Sequence, residues 1–279
     1  VQAFLLTSPT YDGIVSDIKA IAEVVHRHEI PLIVDEAHGA HFHFSDYFPV
    51  SAADLGADIV IQSFHKTLPS MTQTAVIHIC SDMADVEKIR RFMGIYQTSS
   101  PSYILMASMD ACMDKLKKDG QQMFREFTFN LEQARQRLSN CEKIRLIETS
   151  MIKGTGIYDF DRSKLLFSTV GTSINGHQLH EMLRDRFHIE MEMEAEKYAL
   201  GIAAVGDTKE GFERLCDAIE QIDTETEFVA SAEESQETVS YARMKQLMSI
   251  SQAMDAQQRR YPLEESIGKV SAEFAYLYP

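Results

Sequence analysis

Three short apolar runs, QAFLLT (2–7), LIVDEA (32–37) and DIVIQS (58–63), are continuous rather than alternating. A strand with one wet face alternates, whereas a strand apolar on both sides belongs to a parallel sheet covered on both faces. Between the first two runs, Ile14, Ile18, Ile21, Ala22 and Val25 recur at helical spacing and predict a helix from Ile14 to His28. Strand, helix, strand in that order predicts an α/β fold with a mostly parallel sheet.

The remaining elements extend this plan. Ser51 to Gly56 reads as a short helical stretch, Thr74 to Cys80 as a strand and Asp82 to Ile95 as a helix. A long helical region from Tyr103 to Ser139, interrupted near Asp119-Gly120, reads as a connector. Beyond it, strands are expected at Ile144–Glu148, Lys164–Val170 and Tyr198–Val205. Amphipathic helices are expected at His177–Phe187 and Lys209–Ile222. That order describes a smaller α+β unit. Thr224 to Thr238 is acidic and polar, a linker by composition, and a helical segment follows over Ser240–Gln252. Three parts are therefore expected: 1–138, a large-sheet portion with connecting helices; 139–228, a small α+β domain; and 229–279, a linker and the start of a further, truncated domain. The chain opens inside a strand without Met and stops at AYLYP, so a segment of a longer polypeptide is expected.

Charge and cysteine usage narrow the function. The formal net charge is −15, which argues against a protein that binds nucleic-acid backbones. No run of about 18 apolar residues is present, so no membrane span is expected. Cys80, Cys112, Cys141 and Cys216 lie far apart, without a CxxC pair. That pattern fits a reducing, cytoplasmic setting and structural thiols.

The chemistry concentrates at two strand ends. In open α/β sheets the ligand crevice lies at the carboxyl ends of the strands. Asp35 ends one run, and Ser63-Phe64-His65-Lys66 ends the next. A lysine and an aspartate sharing such a crevice suit pyridoxal phosphate: the amine forms a Schiff base, and the carboxylate keeps a proton on the pyridine nitrogen. Ser63 and His65 are candidate donors to the phosphate.

VDEAHGAH, followed some thirty residues later by SFHKTLPSMTQTA, resembles the cofactor site of the ornithine, lysine and arginine decarboxylases, a family with the aspartate aminotransferase fold (fold type I). TSPTYDG, QTSSPSY and YPLEESIGKVSAEFAYLYP extend the resemblance over nearly the whole chain, in the same order. The resemblance implies pyridoxal 5′-phosphate as cofactor, Lys66 as the Schiff-base lysine and Asp35 as the partner of the pyridinium. It places Ala37 near the ring, His38 in the active site, and Ser63 and His65 on the phosphate. Thr98, Ser99 and Ser100 resemble a segment that reaches the phosphate of a partner subunit, which implies a homodimer or a higher homo-oligomer. The implied reaction converts lysine, arginine or ornithine to the amine and CO₂, a step in polyamine biosynthesis.

Other readings compete. An aminotransferase or lyase of the same fold uses the same lysine, and a non-catalytic assembly module would keep only the oligomer. His41 and His43 in HGAHFH read as loop packing, and no metal site is assigned there, because no HExxH-type pattern is present. KGTGIYD (153–159) lacks phosphate-loop spacing and reads as a turn. EMEMEAE (190–196) reads as a strand or loop with an acidic face, which near a site would also select a cationic substrate.

Overall fold

The computed structural model describes residues 2–229, 247–257 and 259–270. The chain divides into two units, Val1–Ala230 and Ser231–Pro279.

In the first unit β1 (Phe4–Thr7) is followed by a two-residue strand, β2 (Ile14–Val15), and by α1 (Ile18–His26). The predicted helix thus starts later than its apolar spacing suggests. Asp17 accepts a hydrogen bond from Ala20 N at 3.0 Å and caps the true start. Ile14 and Val15 pair instead with a distant strand. Next come β3 (Leu32–Asp35), β4 (Ile59–Ser63), the single-turn α2 (Phe64–Thr67) and β5 (Ala75–Ile79). The order across the sheet is β1-β3-β4-β5. The first three strands are parallel and β5 is antiparallel to β4.

One face of this sheet is sealed. Leu32, Val34 and Val60 pack with Ile18, Ala22 and Val25 of α1 and with Ala52 and Ala57. The other face departs from the expectation of full cover. There Leu5 is 65% exposed, and Ile33, Ile61 and Ile77 are only half-buried among the described residues.

Helix α3 (Val86–Tyr96) leads to α4 (Tyr103–Leu138), 36 residues without a break. The expected interruption at Gly120 is absent. A helical glycine costs only about 1 kcal/mol, and the Lys115–Asp119 and Lys118–Asp114 pairs bridge the turns beside it. The second half of α4 turns Phe124, Phe127, Leu131, Ala134 and Leu138 into the main core, spaced three and four apart.

The second sheet follows. Strands β6 (Arg145–Leu146), β7 (Asp159–Phe160) and β8 (Lys164–Ser168) precede α5 (Gly176–Phe187). Then come β9 (Met193–Ala195), β10 (Tyr198–Ile202) and α6 (Lys209–Glu225). The order is β6-β8-β10-β9, all antiparallel, while β7 pairs with β2. Leu165, Phe167, Leu179, Leu183, Phe212 and Ile219 join the core formed by α4. KGTGIYD is a turn, with Gly154 and Gly156 at positive φ.

In the second unit α7 (Ile250–Asp255) begins at Ser249, whose side chain and that of Gln252 cap each other's backbone. The greater part of the acidic linker and the start of the expected helix at Ser240 lie outside the described residues. Among the described residues no helix is long and apolar enough to cross a membrane.

Candidate active site

The parallel pairing of β3 with β4 sets Asp35 opposite Ile61, so the two strands end side by side. The turns beyond them are tied together, since Ser63 N donates to Ala37 O at 3.3 Å. Asp35 Oδ1 accepts from Ala37 N at 3.1 Å, which fixes the carboxylate at the strand end. Glu36 points to the opposite face of the sheet and is buried. It accepts from Ser51 Oγ (2.7 Å), Ala52 N (2.7 Å) and Gln62 Nε2 (2.6 Å). Burial raises its pKa and these bonds offset part of the rise. Glu36 therefore anchors the DEAHGAH loop from behind.

Lys66 projects from α2 on the open side of the site. Its Nζ lies 3.2 Å from His38 Nε2. The His38 ring is 4.8 Å from that of Tyr11, edge to face. Burial, then the nearby charges of Lys164 and Lys66, push His38 down to about 3. His38 is therefore an uncharged imidazole at neutral pH. His65 donates from Nδ1 to Thr74 O at 2.9 Å, which leaves its Nε2 for another partner. Ser63 stands at the start of α2 without a side-chain capping bond, so its hydroxyl is not spent on the helix.

The structure thus brings Asp35, Ala37, His38, Ser63, His65 and Lys66 together at the adjacent ends of β3 and β4 and the turns that follow them. It leaves Thr98, Ser99 and Ser100 apart from it. They lie exposed in the α3–α4 loop, where Ser100 N donates to Thr98 Oγ1 at 3.1 Å.

His41 behaves as a packed loop residue. Its ring meets Phe42 and Phe48 edge to face, and its Nε2 lies 3.2 Å from Asp161 Oδ1. His43 lies 3.3 Å from Asp54.

Several residues at the site carry no motif. Tyr11, in the turn after β1, donates its hydroxyl to Glu192 Oε1. Asp12 beside it accepts from Tyr198 OH at 3.1 Å. The acidic run therefore divides. Glu190 and Glu194 face His180 at 2.9 and 3.0 Å, and Glu192 reaches the wall of the crevice through Tyr11. The turn-forming SPTYDG was the only signal for Tyr11, and spacing alone does not reveal its partner 181 residues away.

Comparison with known proteins shows the family and the fold. Residues 1–197 match the family described as Orn/Lys/Arg decarboxylase, major domain. An arginine decarboxylase of Bacillus subtilis (strain 168) is 31% identical over 286 residues, covering 100% of this chain and 57% of that protein. The chain thus spans little more than half the length of that relative. Lysine decarboxylase A from Pseudomonas aeruginosa superposes with a TM-score of 0.65 at 20% identity, over 80% of this chain and 37% of that one. An aromatic aminotransferase from Pyrococcus horikoshii gives a TM-score of 0.55 at 17% identity, over 81% of this chain and 60% of that one. At such identities the two structures establish the shared fold. The sequence match and the fold together identify the chain as a member of the Orn/Lys/Arg decarboxylase family.

Proposed function

We propose that this chain carries the reactive lysine and much of the cofactor site of a decarboxylase that converts a basic amino acid to its amine and CO₂. One observation carries the reading. The Lys66 amine meets uncharged His38 at 3.2 Å, beside the strand end that presents Asp35. This set of groups fits pyridoxal 5′-phosphate. When bound, that cofactor supplies an electron sink for the bond to the departing carboxylate.

Each residue then has a task. Lys66 would hold the cofactor through its amine, and the cofactor aldehyde would supply the point of attachment for the substrate amine. Asp35 would keep a proton on the ring nitrogen. Ala37 would pack near the ring. Ser63 Oγ and His65 Nε2 would hold the phosphate. His38, held edge-on by Tyr11, accepts a hydrogen bond from the Lys66 amine at Nε2 and orients it. Glu192, the acidic group at the Tyr11 wall, favours a cationic substrate. Arginine is the first substrate to test, because the curated relatives matched over the whole of this chain include arginine decarboxylases.

The full protein is further read as a homodimer in a cytoplasmic setting. Around Thr98–Ser100 the structure exposes Tyr96 and Tyr103, each at 82%, together with Ile95 and Ile104. A second copy seated there buries this apolar surface and receives the hydroxyl segment at its phosphate. Sedimentation velocity of Tyr96→Ser/Ile104→Ser tests it: the parent runs as a dimer and the variant as a monomer. A parent that runs as a monomer overturns it.

The reaction itself is tested by borohydride reduction with pyridoxal phosphate, peptide mapping, and product analysis with arginine, lysine and ornithine. A reduced adduct confined to Lys66, with amine and CO₂ as products, is expected. A keto acid in place of CO₂ overturns the decarboxylase reading in favour of transamination. Adducts scattered over surface lysines overturn the cofactor site.

A further inference from the structure

The loop that follows Lys66, from Thr67 to Thr74, is tied down by hydroxyl groups that the proposed reaction does not use. Thr74 stands at its end, just before β5, and is 2% exposed. Its carbonyl accepts twice, from Phe64 N at 3.0 Å and from His65 Nδ1 at 2.9 Å. Its hydroxyl turns back into the loop, 2.7 Å from Met71 O and 2.9 Å from Ser70 Oγ, and donates its one proton there. Ser108 of α4 completes the tie. Its Oγ accepts from Met71 N at 2.8 Å and lies 3.3 Å from Ser70 Oγ.

The loop is strained at one place. Gln73 has a φ of +77°, a left-handed conformation that a residue with a Cβ adopts at a cost. Met71 O accepts from both Thr74 N, at 3.2 Å, and Thr74 Oγ1, and the turn that these bonds close contains Gln73. A strained conformation persists only where its surroundings fix it. The Thr74 hydroxyl thus helps to set the backbone at its own position, and the placing of its carbonyl follows.

That carbonyl decides how His65 carries its proton. A carbonyl oxygen only accepts, so the proton is on Nδ1, and in a neutral imidazole Nε2 is then an acceptor. A fully ionised phosphate gains no hydrogen bond from it. A phosphate monoester that keeps one proton does, because its P–O–H donates to Nε2. The second ionisation of such esters lies at about pH 6, so that proton is available close to neutrality. We propose that Thr74 is a positioning residue for His65: its hydroxyl fixes the loop, its carbonyl holds the Nδ1 proton, and the neutral ring receives a phosphate monoester through a proton that the ester brings. The last step rests on reading His65 as a phosphate ligand, whereas the hold of Thr74 on the ring is measurable without that reading.

The experiment is nitrogen-15 NMR of the histidine rings at neutral pH, with His65 assigned through His65→Gln. The probe is pyridoxine 5′-phosphate, which lacks the aldehyde and cannot attach to Lys66. In the free protein Nδ1 carries the proton and Nε2 does not. With the probe, Nε2 moves toward its protonated position while Nδ1 stays protonated. Thr74→Val keeps the branched shape and removes the hydroxyl. In it both tautomers of His65 appear, and affinity for the probe falls about tenfold, the order expected for one hydrogen bond to a charged group. Affinity for pyridoxine, which has no phosphate, does not change, and Thr74→Ser restores the parent behaviour. Ser108→Ala, which removes the far anchor from half-buried α4, moves the tautomer in the same direction and serves if Thr74→Val does not fold. A proton on Nε2 in the free parent overturns the proposal. So does a Thr74→Val protein with parent-like tautomer and affinity, or one that loses both ligands equally. If Thr74→Val mixes the tautomers but the probe leaves Nε2 unmoved in the parent, the reading of His65 as a phosphate ligand fails and the hold of Thr74 on the ring stands.

Discussion

His41 Nε2 stands 3.2 Å from Asp161 Oδ1, and the two side chains are 1% and 0% exposed. This contact joins the loop after β3 to the turn before β8, 120 residues further along the chain. β2 pairs with β7 immediately beside it, and Asp161 N donates to Gly13 O at 2.8 Å. The crevice at the end of the parallel sheet is therefore floored by a turn from the antiparallel one. Asp161 also accepts from Ser163 N (2.9 Å) and Ser163 Oγ (2.8 Å). A buried carboxylate with this many donors is worth most as a fixed point, because removing it strands the partners that remain.

Asp161→Asn keeps the shape of that point and removes its charge, leaving Lys164, whose Nζ lies 3.4 Å from Asp161 Oδ2, buried without a counter-ion. A loss of about 3–5 kcal/mol is expected from urea unfolding at pH 7. The pH dependence has a definite sign. Burial alone would raise the Asp161 carboxyl, but His41 and Lys164 outweigh it. The folded carboxyl titrates below an ordinary aspartate, near 3.9, so its contribution is complete above about pH 4. As the pH falls further the unfolded chain takes up the proton first, and the contribution fades. The Asn variant should lose that part of the stability slope below pH 4. A slope equal to that of the parent would contradict the assignment of the charge.

Glu192 and Glu190 belong to the same acidic run but have different neighbours. Glu192 accepts from Tyr11 at the crevice wall, whereas Glu190 is taken up by His180 at 2.9 Å. A charge-assisted hydrogen bond is worth about 1.5–3 kcal/mol. Glu192→Gln should therefore raise KM for the basic amino acid by about 10-fold or more while kcat changes little, the pattern of lost uniform binding. Glu190→Gln should leave KM unchanged. Steady-state kinetics on both variants decides the point, and equal effects would remove Glu192 from the site.

Lys66 is exposed, so Lys66→Ala should shift stability by no more than about 0.5 kcal/mol. The same change should abolish the reduced cofactor adduct. Asp35→Asn preserves an acceptor for Ala37 N and removes the charge proposed to hold the ring nitrogen's proton. A fall in kcat of about 10²–10³, comparable to loss of one preorganised electrostatic partner, is expected with the fold intact. Thermal melts alongside product assays separate chemistry from folding. Wild-type-like turnover in Asp35→Asn would show that this carboxylate holds no proton on the ring.

The parts legible in the sequence were those written locally. Continuous apolar runs ending on Asp35 and on Ser63-Phe64-His65-Lys66 specify adjacent strand ends, because a parallel sheet puts all such ends on one side. Ile14 was misplaced because its spacing is in phase with the face of α1, and the Asp17 cap was the better signal. Gly120 misled in the opposite sense: one glycine does not break a helix whose neighbouring turns are bridged and whose later turns are buried. The partnership of Asp161, Lys164 and His41 left no periodic trace. It depends on chain crossings between two sheets, and neither propensity nor spacing encodes a crossing.

Gly13 supplies the sharpest steric test of that crossing. Its φ is +99°, a region that side chains with a Cβ rarely adopt. A Cβ there would also meet Lys164 Cγ at 2.6 Å and Lys164 Cβ at 3.0 Å. Gly154, in the turn before β7, has a similar φ of +82° but nothing within 4 Å of the added carbon. Gly154→Ala should thus cost only the backbone strain, about 1 kcal/mol. Gly13→Ala should cost that strain plus overpacking against a side chain that cannot swing away, about 2–4 kcal/mol in all. Lys164 is the obstacle, so Lys164→Ala should reduce the cost of Gly13→Ala, and a double-mutant cycle measures the difference. Strictly additive losses would mean that Gly13 is constrained by its own backbone and not by the charge beneath the site.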